Sequence, residues 1–405
     1  MSPSVPRIAS RTYGIYQRLR MWLEAIRAVA TELDVLLFTP SGRAGNGNAS
    51  VVRQWLASAW GIKADVALCD RQPEDRPDGF VSQYLDAYVR PALSFSRQPL
   101  FRPFQGKAQR DAMARGLDRS PDVVFLHRLH AASAAFDLPL NGARTFLDID
   151  DVEHRRFARE VRQPPRWPLK PLLYLQVPAL WWGERRAIAR ADRAFVCSEL
   201  DQRYLRRTMR VTNVDVIPNA VPHVADRPLT REQNVLFLGT YSYSPNVVGA
   251  EYLIRDVWPL LSRLCPDARL LIAGPHVEAL PSGRRPPAGV EILGWVPDLR
   301  ALYARTRVLC CPIQSGGGTR IKILEATSYG VPVVSTPVGA EGLDLVPDEE
   351  IVLRSSAADI AAACADLLRD DAQARRVGAA GRRRTRALYS REAVVDRMTT
   401  ILRGS

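Results

Sequence analysis

The chain has 405 residues, of which 46% are hydrophobic and 24% charged, a composition typical of soluble globular proteins. This length exceeds one typical domain core, so we expect two domains of about 200 residues each. The net charge of +13 indicates an anionic partner, which could be nucleic acid, an anionic lipid surface or a phosphorylated substrate. No nucleic-acid-binding motif accompanies this charge, so we do not expect nucleic acid as a partner.

The cysteines and the apolar segments indicate in which cellular compartment the protein is expected. The six cysteines show no C-x-x-C spacing, and Cys310 and Cys311 lie within an apolar run, which predicts buried, reduced thiols. Residues 1–14 contain no apolar signal-peptide core, and no run approaches the roughly 18–20 apolar residues of a membrane span. We therefore expect a cytoplasmic protein.

The N-terminal half alternates predicted helices and strands. A loop over 9–14 contains Gly14, a candidate substrate-binding residue, and precedes a helical pattern that runs to about Glu32. The sequence predicts strands over 34–39, 65–69, 122–126, 145–148, 194–198 and 214–219. Residues 72–103 are rich in proline and aromatic residues and predict no clear element. This alternation favours a parallel sheet, in which ligands lie beyond the carboxyl ends of the strands.

Two polar clusters follow predicted strands of this half. His127 comes directly after one strand and is either a substrate-contacting residue or a hydrogen-bonded structural histidine. Asp148 and Asp150 share a face if the next strand continues through them, and Asp151 follows. These carboxylates could bind a divalent metal, position sugar hydroxyls, or, for Asp151, cap the next helix.

The stretch 155–193 mixes arginine with tryptophan and proline. This composition is typical of a helix lying at an anionic membrane surface. It is equally typical of arginine stems covering a seam between helices. Both interpretations stay open at the level of the sequence.

The C-terminal half repeats the α/β pattern after a predicted linker over 218–228. Strands are predicted over 234–239, 269–274, 290–294, 307–313, 331–335 and 351–353. Helices are predicted over 320–329, 357–369, 372–389 and 391–403. Two α/β domains joined by a linker make the cleft between them the expected ligand site.

A glycine-rich loop, Ser315–Thr319, separates one of these strands from the helix after it. Three glycines allow positive φ angles and bring bare N–H groups close to a ligand, and a helix N-terminus attracts anions. Thr319 is a candidate cap, while Arg320 and Lys322 place two cations in the first helical turn. The loop therefore predicts a diphosphate site. The alternative is an ordinary turn, with Lys322 and Glu325 forming a surface ion pair.

The second half carries a series of short motifs in a fixed order. They are 216–221 (VIPNAV), 237–239 (FLG), 271–274 (LIAG), 294–298 (GWVPD), 315–325 (SGGGTRIKILE), 330–335 (GVPVVS) and 339–343 (GAEGL). In this order they resemble the donor-binding domain of retaining GT-B glycosyltransferases of glycosyltransferase family 4. In the first half, 146–151 (FLDIDD) is similar to a segment of sugar transferases from bacterial exopolysaccharide clusters.

The resemblance implies an α/β fold of GT-B architecture, with two Rossmann-like, doubly wound parallel-sheet domains facing a cleft. Residues 1–218 would bind the acceptor, 219–385 would bind the nucleotide-sugar donor, and a C-terminal helix within 386–405 would pack back on the first domain. The implied activity moves a sugar from a nucleoside diphosphate donor to a glycan or polyprenyl-linked acceptor, with retention of anomeric configuration. Such an enzyme would serve bacterial exopolysaccharide or cell-surface glycan synthesis, in the cytoplasm or peripherally on the inner face of the plasma membrane.

The resemblance also assigns roles to individual residues. In the second half the implied donor-site residues are Gly239 in the first loop, Trp295 and Val296 beside the base, Gly316, Gly317, Gly318 and Thr319 around the diphosphate, Arg320 and Lys322 neutralising it, and Glu325 on the ribose. In the first half His127 would contact the donor sugar, and Asp148, Asp150 and Asp151 would face the acceptor. No metal and no cofactor is expected, because the two cations can stabilise the leaving diphosphate.

The sequence departs from the family pattern at two places. Many members carry a glutamate where this chain has Gly317, and an Arg and a Lys in the loop that here spans 239–246 and has neither. Both absences shift the neutralising role to Arg320 and Lys322. Two rival functions remain, a nucleotide-sugar epimerase on the same fold and a non-catalytic basic scaffold.

Overall fold

The computed structural model describes residues 14–40, 42, 44, 48–72, 79–140 and 142–404. The chain divides into two compact units. Pro218 ends the first unit, which the chain re-enters at Val394, and Asn219 to Ala393 form the second. Most of the predicted loop over 9–14 lies outside the described residues, which begin with Gly14 at the start of the first helix.

The first unit is built from parallel strands and helices. Its helices are α1 (Gly14–Arg27), α2 (Asn48–Trp60), α3 (Phe80–Tyr84), α4 (Arg90–Leu93), α5 (Lys107–Leu117), α6 (Arg128–Ala134), α7 (Glu153–Arg162), α8 (Val177–Arg190) and α9 (Glu199–Met209). Its strands are β1 (Asp34–Thr39), β2 (Asp65–Asp70), β3 (Val123–His127), β4 (Arg144–Asp150), β5 (Arg193–Val196) and β6 (Val214–Val216). Among the described residues, β1 pairs with β2, and the other four strands form a sheet in the order β3-β4-β5-β6.

Helix α1 ends earlier than the sequence predicts. Its buried face carries Arg18, Met21, Trp22 and Ala25. The helix stops at Arg27, whose Nη1 donates to the carbonyl oxygen of Ala30 at 2.7 Å. This arginine satisfies a carbonyl group that has left the helical ladder, so the chain can turn toward β1 before Glu32.

The stretch 80–93, for which the sequence predicted no clear element, is helical. A widened π turn over Leu85–Val89 joins α3 to α4, and the backbone N–H of Arg90 donates to the carbonyl oxygen of Leu85. Pro91 follows at once. Proline lacks a backbone N–H and clashes with the carbonyl oxygen four residues earlier, and the widened turn moves that carbonyl away. The same device recurs in the second unit, where a π turn over Leu253–Val257 precedes Pro259.

The second unit contains a six-stranded, all-parallel sheet in the order β12-β11-β10-β7-β8-β9. Its strands are β7 (Asn234–Leu238), β8 (Arg269–Ala273), β9 (Val290–Gly294), β10 (Val308–Cys311), β11 (Val333–Ser335) and β12 (Val352–Leu353). Its helices are α10 (Ser244–Tyr252), α11 (Trp258–Leu264), α12 (Leu299–Ala304), α13 (Ile321–Ser328), α14 (Ala357–Arg369) and α15 (Asp371–Tyr389). All four residues of β10 are buried, as expected for a central strand covered on both faces.

The last helix, α16 (Arg391–Arg403), belongs mostly to the first unit. Its buried side chains are Val394, Met398 and Leu402, and Arg144 of β4 donates to the carbonyl oxygen of Leu402 at 3.2 Å. None of the described helices is long and apolar enough to cross a membrane. The six cysteines all fall within the described residues, where they are buried and form no disulfide.

Candidate functional site

The glycine-rich loop lies between β10 and α13, at the carboxyl end of a central strand of the second unit. Gly316 has a φ of 112° and Gly318 a φ of 62°, which glycine adopts at low cost. A Cβ on Gly316 would lie 2.9 Å from the Tyr243 hydroxyl and 2.9 Å from Nη2 of Arg320. Backbone conformation and lack of space therefore both require glycine at 316.

Arg320 braces this loop from within. Its Nη1 donates to the carbonyl oxygens of Gly317 and, at 3.0 Å, Gly318, while its Nη2 donates to that of Ser315 at 3.2 Å. The side chain is buried, and its Nε finds no hydrogen-bond partner among the described residues. Arg320 thus fixes the loop and retains one N–H donor that the loop does not use.

Lys322 lies beneath the loop in the first turn of α13. Its Nζ donates to Oδ1 of Asn246 at 2.8 Å and lies 4.4 Å from the ring centroid of Phe237. Burial, together with a smaller contribution from the charge of Arg320, lowers the pKa of Lys322 to about 8. Lys322 is therefore a half-buried side chain held by Asn246 and the Phe237 ring, and the charge of Glu325 acts on its pKa in the direction opposite to burial.

Asn246, near the start of α10, connects the carboxyl end of β7 with Lys322. Gly239 ends the strand, and a Cβ there would lie 2.9 Å from the Asn246 side chain. Gly274, after β8, has a φ of 129°, and its Cβ would overlap the carbonyl oxygen of Gly239. The two glycines thus let the ends of β7 and β8 approach closely, and Asn246 joins this edge to α13.

The remaining candidates of the second unit surround the same sheet edge. Glu325 lies one turn after Lys322 and accepts from the Tyr303 hydroxyl at 3.5 Å. The sequence position of Thr319 predicted that it caps α13, but it does not. The helix begins at Ile321, and Arg320 occupies the cap position. Instead, Oγ1 of Thr319 accepts from Nδ2 of Asn219 at 3.0 Å.

Trp295 and Val296 follow β9, the edge strand. They lie three strands from β10, or about 14 Å at the usual strand spacing. Trp295 is partly exposed, whereas Val296 packs against the core. An extended nucleotide would have to span this distance to contact both the glycine loop and the tryptophan.

In the first unit, His127 and Asp148 face each other at the ends of neighbouring strands. They are register partners on β3 and β4, and Nδ1 of His127 lies 3.0 Å from Oδ2 of Asp148. Nε2 of His127 is buried and has no hydrogen-bond partner among the described residues. Since an ionised carboxylate can only accept, Asp148 holds a proton on Nδ1 and leaves Nε2 for another ligand.

Arg18 of α1 completes this pair. Its Nε lies 3.0 and 2.8 Å from the two oxygens of Asp148, and its Nη1 donates to the carbonyl oxygen of Ile217 at 2.8 Å. Burial alone would raise the pKa of Asp148, but Arg18 and His127 outweigh it and hold that pKa below its ordinary value. Asp148 is fully buried, whereas the side chain of His127 is partly exposed.

Asp150 and Arg128 form a second buried pair. Arg128 has a φ of 68° and Asp150 a φ of 64°, and Nη2 of Arg128 donates to the Asp150 carboxylate. Cys197 lies 2.9 Å from the other oxygen of Asp150. The strand continues through Asp150 as the sequence allowed, but with a bulge after Asp148. Left-handed conformations in residues other than glycine are costly and concentrate at functional sites.

Sequence reasoning missed Arg18, and both of the helix caps that it considered, Thr319 and Asp151, are absent. Arg18 precedes the buried Trp22 by four residues, so a charged residue on the apolar face of α1 was the available signal. Asp151 does not cap α7, because Val152 occupies the cap position without a side-chain hydrogen bond. Among the described residues no cluster of His, Cys, Asp and Glu has metal-binding geometry.

Each of the two parallel-sheet α/β units carries polar side chains at the carboxyl ends of its strands. Residues 49–224 match the family model described as Glycosyltransferase Family 4, and residues 232–370 match the model described as Glycosyl transferases group 1. The two matches together cover most of the chain, which therefore carries one domain of each of these glycosyltransferase families on a GT-B fold. This confirms the resemblance and the fold class predicted from the sequence.

Similar solved structures cover nearly the whole chain. Sucrose-phosphate synthase from Thermosynechococcus elongatus has a TM-score of 0.65 at 18% identity, with 92% of this chain and 99% of that chain covered. Anabaena Alr3699/HepE in complex with UDP and glucose has a TM-score of 0.64 at 12% identity, with 98% and 97% covered. At these identities the likeness concerns the fold alone.

One curated protein is similar in sequence over a shorter stretch. It is a Klebsiella pneumoniae protein named "Uncharacterized 44.6 kDa protein in cps region", 26% identical over 145 residues. The match covers 34% of this chain and 37% of that protein. The chain therefore matches little more than a third of this relative's length.

Proposed function

We propose that the protein transfers a sugar from a nucleoside diphosphate donor to a glycan or lipid-linked acceptor, with retention of anomeric configuration. The observation that carries the proposal is Lys322, a half-buried cation with a lowered pKa beneath a glycine loop that only glycine can form. An uncompensated buried cation is costly, and an anion bound at the loop would offset that cost. The UDP bound in the Anabaena structure, a protein of the same fold, supports a nucleotide as ligand.

The second unit supplies stabilisation of the leaving group. As the glycosidic bond breaks, negative charge builds up on the departing diphosphate. Backbone N–H groups of 316–319, the ammonium group of Lys322 and the positive charge of Arg320 would stabilise this charge. Glu325 would bind the ribose hydroxyls, and Trp295 with Val296 would contact the base.

The first unit supplies a positioned hydrogen-bonding group. Nε2 of His127 would bind a hydroxyl of the sugar, while Asp148 and Arg18 fix the orientation of the imidazole ring. Asp150, Asp151 and Gly14 would lie on the acceptor side. The chemistry of these residues fits a polyhydroxylated substrate.

No metal enters this proposal, because Lys322 and Arg320 take the place of a cation at the diphosphate. The carboxylates that could otherwise bind a metal are engaged: Asp148 by Arg18 and Asp150 by Arg128. Transfer should continue at an unchanged rate in EDTA. A strict requirement for Mn²⁺ or Mg²⁺ would instead assign the aspartate cluster a metal-binding role.

The setting we propose is bacterial exopolysaccharide or cell-surface glycan synthesis, peripherally on the inner face of the plasma membrane. Two observations support it: the 146–151 segment and the cps-region protein of Klebsiella pneumoniae. The net charge of +13 is compatible with an anionic membrane surface.

The test begins with a thermal-shift screen of UDP-, GDP-, ADP- and dTDP-sugars. A ligand that binds only the folded state raises its apparent stability, so one donor class should raise the melting temperature. The donor so found is then incubated with candidate acceptors, and the anomeric configuration of the product is read by NMR. Sugar release without any acceptor product would favour the epimerase alternative, and no shift with any donor would favour the scaffold.

A further inference from the structure

The first unit exposes an unusual number of large apolar side chains on two adjoining segments. Those above one-third exposure are Phe80, Val81, Val89, Leu93 and Leu100 on the first segment and Trp167, Leu169, Leu175 and Trp182 on the second. Within the described residues, every large apolar side chain that is more than half exposed belongs to this set. Leu93 is 79% exposed, Trp182 62% and Leu175 59%. We call these nine side chains the apolar–basic surface, because arginines accompany them.

The two segments pack against each other, so their exposed side chains are neighbours. Nε1 of Trp167 donates to the Tyr88 hydroxyl at 3.0 Å, and Nε2 of Gln176 donates to the carbonyl oxygen of Ala87 at 2.7 Å. The Phe95 ring lies so close to Gly183 that a Cβ there would overlap it. These contacts use the inner faces of both segments. Leu175 lies on the 3-10 turn that precedes α8 and Trp182 on α8 itself, and both side chains are exposed.

The charges around these side chains are mostly positive. Residues 79–104 and 162–190 contain nine basic residues, Arg90, Arg97, Arg102, Arg162, Arg166, Lys170, Arg185, Arg186 and Arg190. The only carboxylates in these two stretches are Asp86 and Glu184. Asp86 accepts from Arg90 and Arg102, and Glu184 is buried. The two stretches therefore carry a net positive charge, in which Arg90 and Arg102 are paired with Asp86 and Arg186 with Asp137.

We propose that the apolar–basic surface docks on an anionic phospholipid bilayer, with its tryptophans and leucines in the headgroup region. Tryptophan combines an apolar ring with a polar N–H and suits that region, and Arg185 lies 5.6 Å from the Trp182 ring centroid. Arginines at the rim bind lipid phosphates, and partly buried apolar side chains add binding that salt does not screen. This inference deepens the peripheral-membrane part of the proposed function.

The same segment leads from the docking surface to the candidate site of this unit. The chain that carries Leu93 continues to Phe101 and Phe104, whose rings lie 5.3 and 5.2 Å from that of His130. His130 is three residues beyond His127 and shares α6 with Arg128. The segment that carries Leu93 therefore also contacts α6, the helix that directly follows His127.

The experiment is flotation of the purified full-length chain with phosphatidylcholine vesicles, with and without phosphatidylglycerol. We expect flotation with the anionic vesicles, reduced but not abolished by high salt, and little with phosphatidylcholine alone. The variant Leu93→Ser/Leu175→Ser/Trp182→Ser should lose about tenfold or more in vesicle partitioning. The matched control Leu264→Ser/Val346→Ser/Leu388→Ser removes exposed apolar side chains of the second unit and should float like the wild type.

A charge-reversal pair separates the basic contribution. Arg97→Glu/Arg166→Glu should weaken flotation at low salt, whereas Arg284→Glu/Arg285→Glu on the second unit should not. Equal behaviour of the two serine variants would overturn the proposal. So would a wild-type dimer, seen by light scattering, that the Leu93/Leu175/Trp182 variant converts to monomers.

A nucleotide-sugar thermal shift on the same preparations keeps the two proposals separate. The serine variant of the docking surface should retain the shift of the wild type, which shows that it is folded and binds donor. A wild type that floats but shows no shift would leave the docking surface intact and refute the donor site. A wild type that shows the shift but does not float would refute the docking surface.

Discussion

Lys322 couples the charge of the candidate site to pH. With a pKa of about 8 it is protonated at neutral pH and loses its proton in mildly alkaline solution. A bound diphosphate stabilises the charged form, so binding above pH 8 requires uptake of a proton. The affinity for the nucleoside diphosphate should then fall about tenfold per pH unit above pH 8, measured by titration calorimetry.

The control for this pH dependence is Lys322→Arg. A guanidinium group stays protonated throughout this range, so the variant should show a much shallower decline even if its affinity at neutral pH is lower. Wild-type affinity that is constant from about pH 7 to about pH 9.5 would rule out Lys322 as the titrating contact.

Arg18 and Asp148 give a second prediction at the scale of residues. Removing one member of a buried ion pair leaves the other charge uncompensated, which typically costs about 3–5 kcal/mol. Arg18→Met and Asp148→Leu should each destabilise the first unit by that order. The double variant should be less destabilised than either single variant, as chemical denaturation of all three would show. Additive losses would mean that the pair is not coupled in the folded protein.

The contribution of this pair to stability also depends on pH in acid, in a direction that follows from the pKa of Asp148. Burial would raise that pKa, but Arg18 and His127 together lower it below its unfolded value. The stabilisation is therefore complete above about pH 4 and is lost as pH falls below that point. In the double variant the free energy of unfolding should depend less on pH in this acidic range. It should still lose transfer activity, because His127 no longer has Asp148 to orient its ring.

Single residues were predictable where a motif fixes them and not where tertiary contacts do. The glycine spacing and the two following cations identified the loop at 315–322, because backbone freedom and charge are properties of the residues themselves. The partners were not predictable. Lys322 binds Asn246 and Asp148 binds Arg18, and both partners are distant in sequence. Arg320 binds carbonyl oxygens of its own loop, but only the folded loop conformation shows this.

The same contrast holds for whole elements. Strands of the second unit were predicted to within about two residues, because central parallel strands are apolar along their whole length. The helical stretch 80–93 was missed because prolines and aromatic residues obscure helical periodicity. Its π turn forms only where a helix must pass Pro91.

The glycine loop gives a prediction at the scale of elements. Gly316→Ala introduces a Cβ at a φ of 112° and within 2.9 Å of Arg320 and Tyr243, so the loop must rearrange. Strain of this kind costs about 1–3 kcal/mol, and displacement of Arg320 should weaken donor binding about tenfold or more. Gly317→Ala is the matched control, because the φ angle of Gly317 is not positive. Equal donor affinities of the two variants would contradict a loop held by Gly316.

At the scale of the whole molecule, alternation of strands and helices predicted two α/β units with parallel sheets, and the ordered motifs predicted their class. The net charge predicted an anionic partner but not where the charge acts. Only the folded first unit shows that arginines of 79–104 and 162–190 surround exposed apolar side chains, since the two stretches lie far apart in sequence.

The last helix gives the prediction that belongs to the molecule as a whole. The chain leaves the second unit at Ala393, and Val394, Met398 and Leu402 are buried in α16, with Leu402 accepting from Arg144 of β4. Truncation after Ala393 should lower the free energy of unfolding of the first unit by roughly 1.5–3 kcal/mol for each of these buried side chains. Hydrogen exchange should then show faster exchange in β4 and its neighbours, while β7 and β10 keep their protection. Truncation after Leu402, which keeps all three side chains, is the control. Loss of protection in the second unit alone would mean that α16 supports that unit instead.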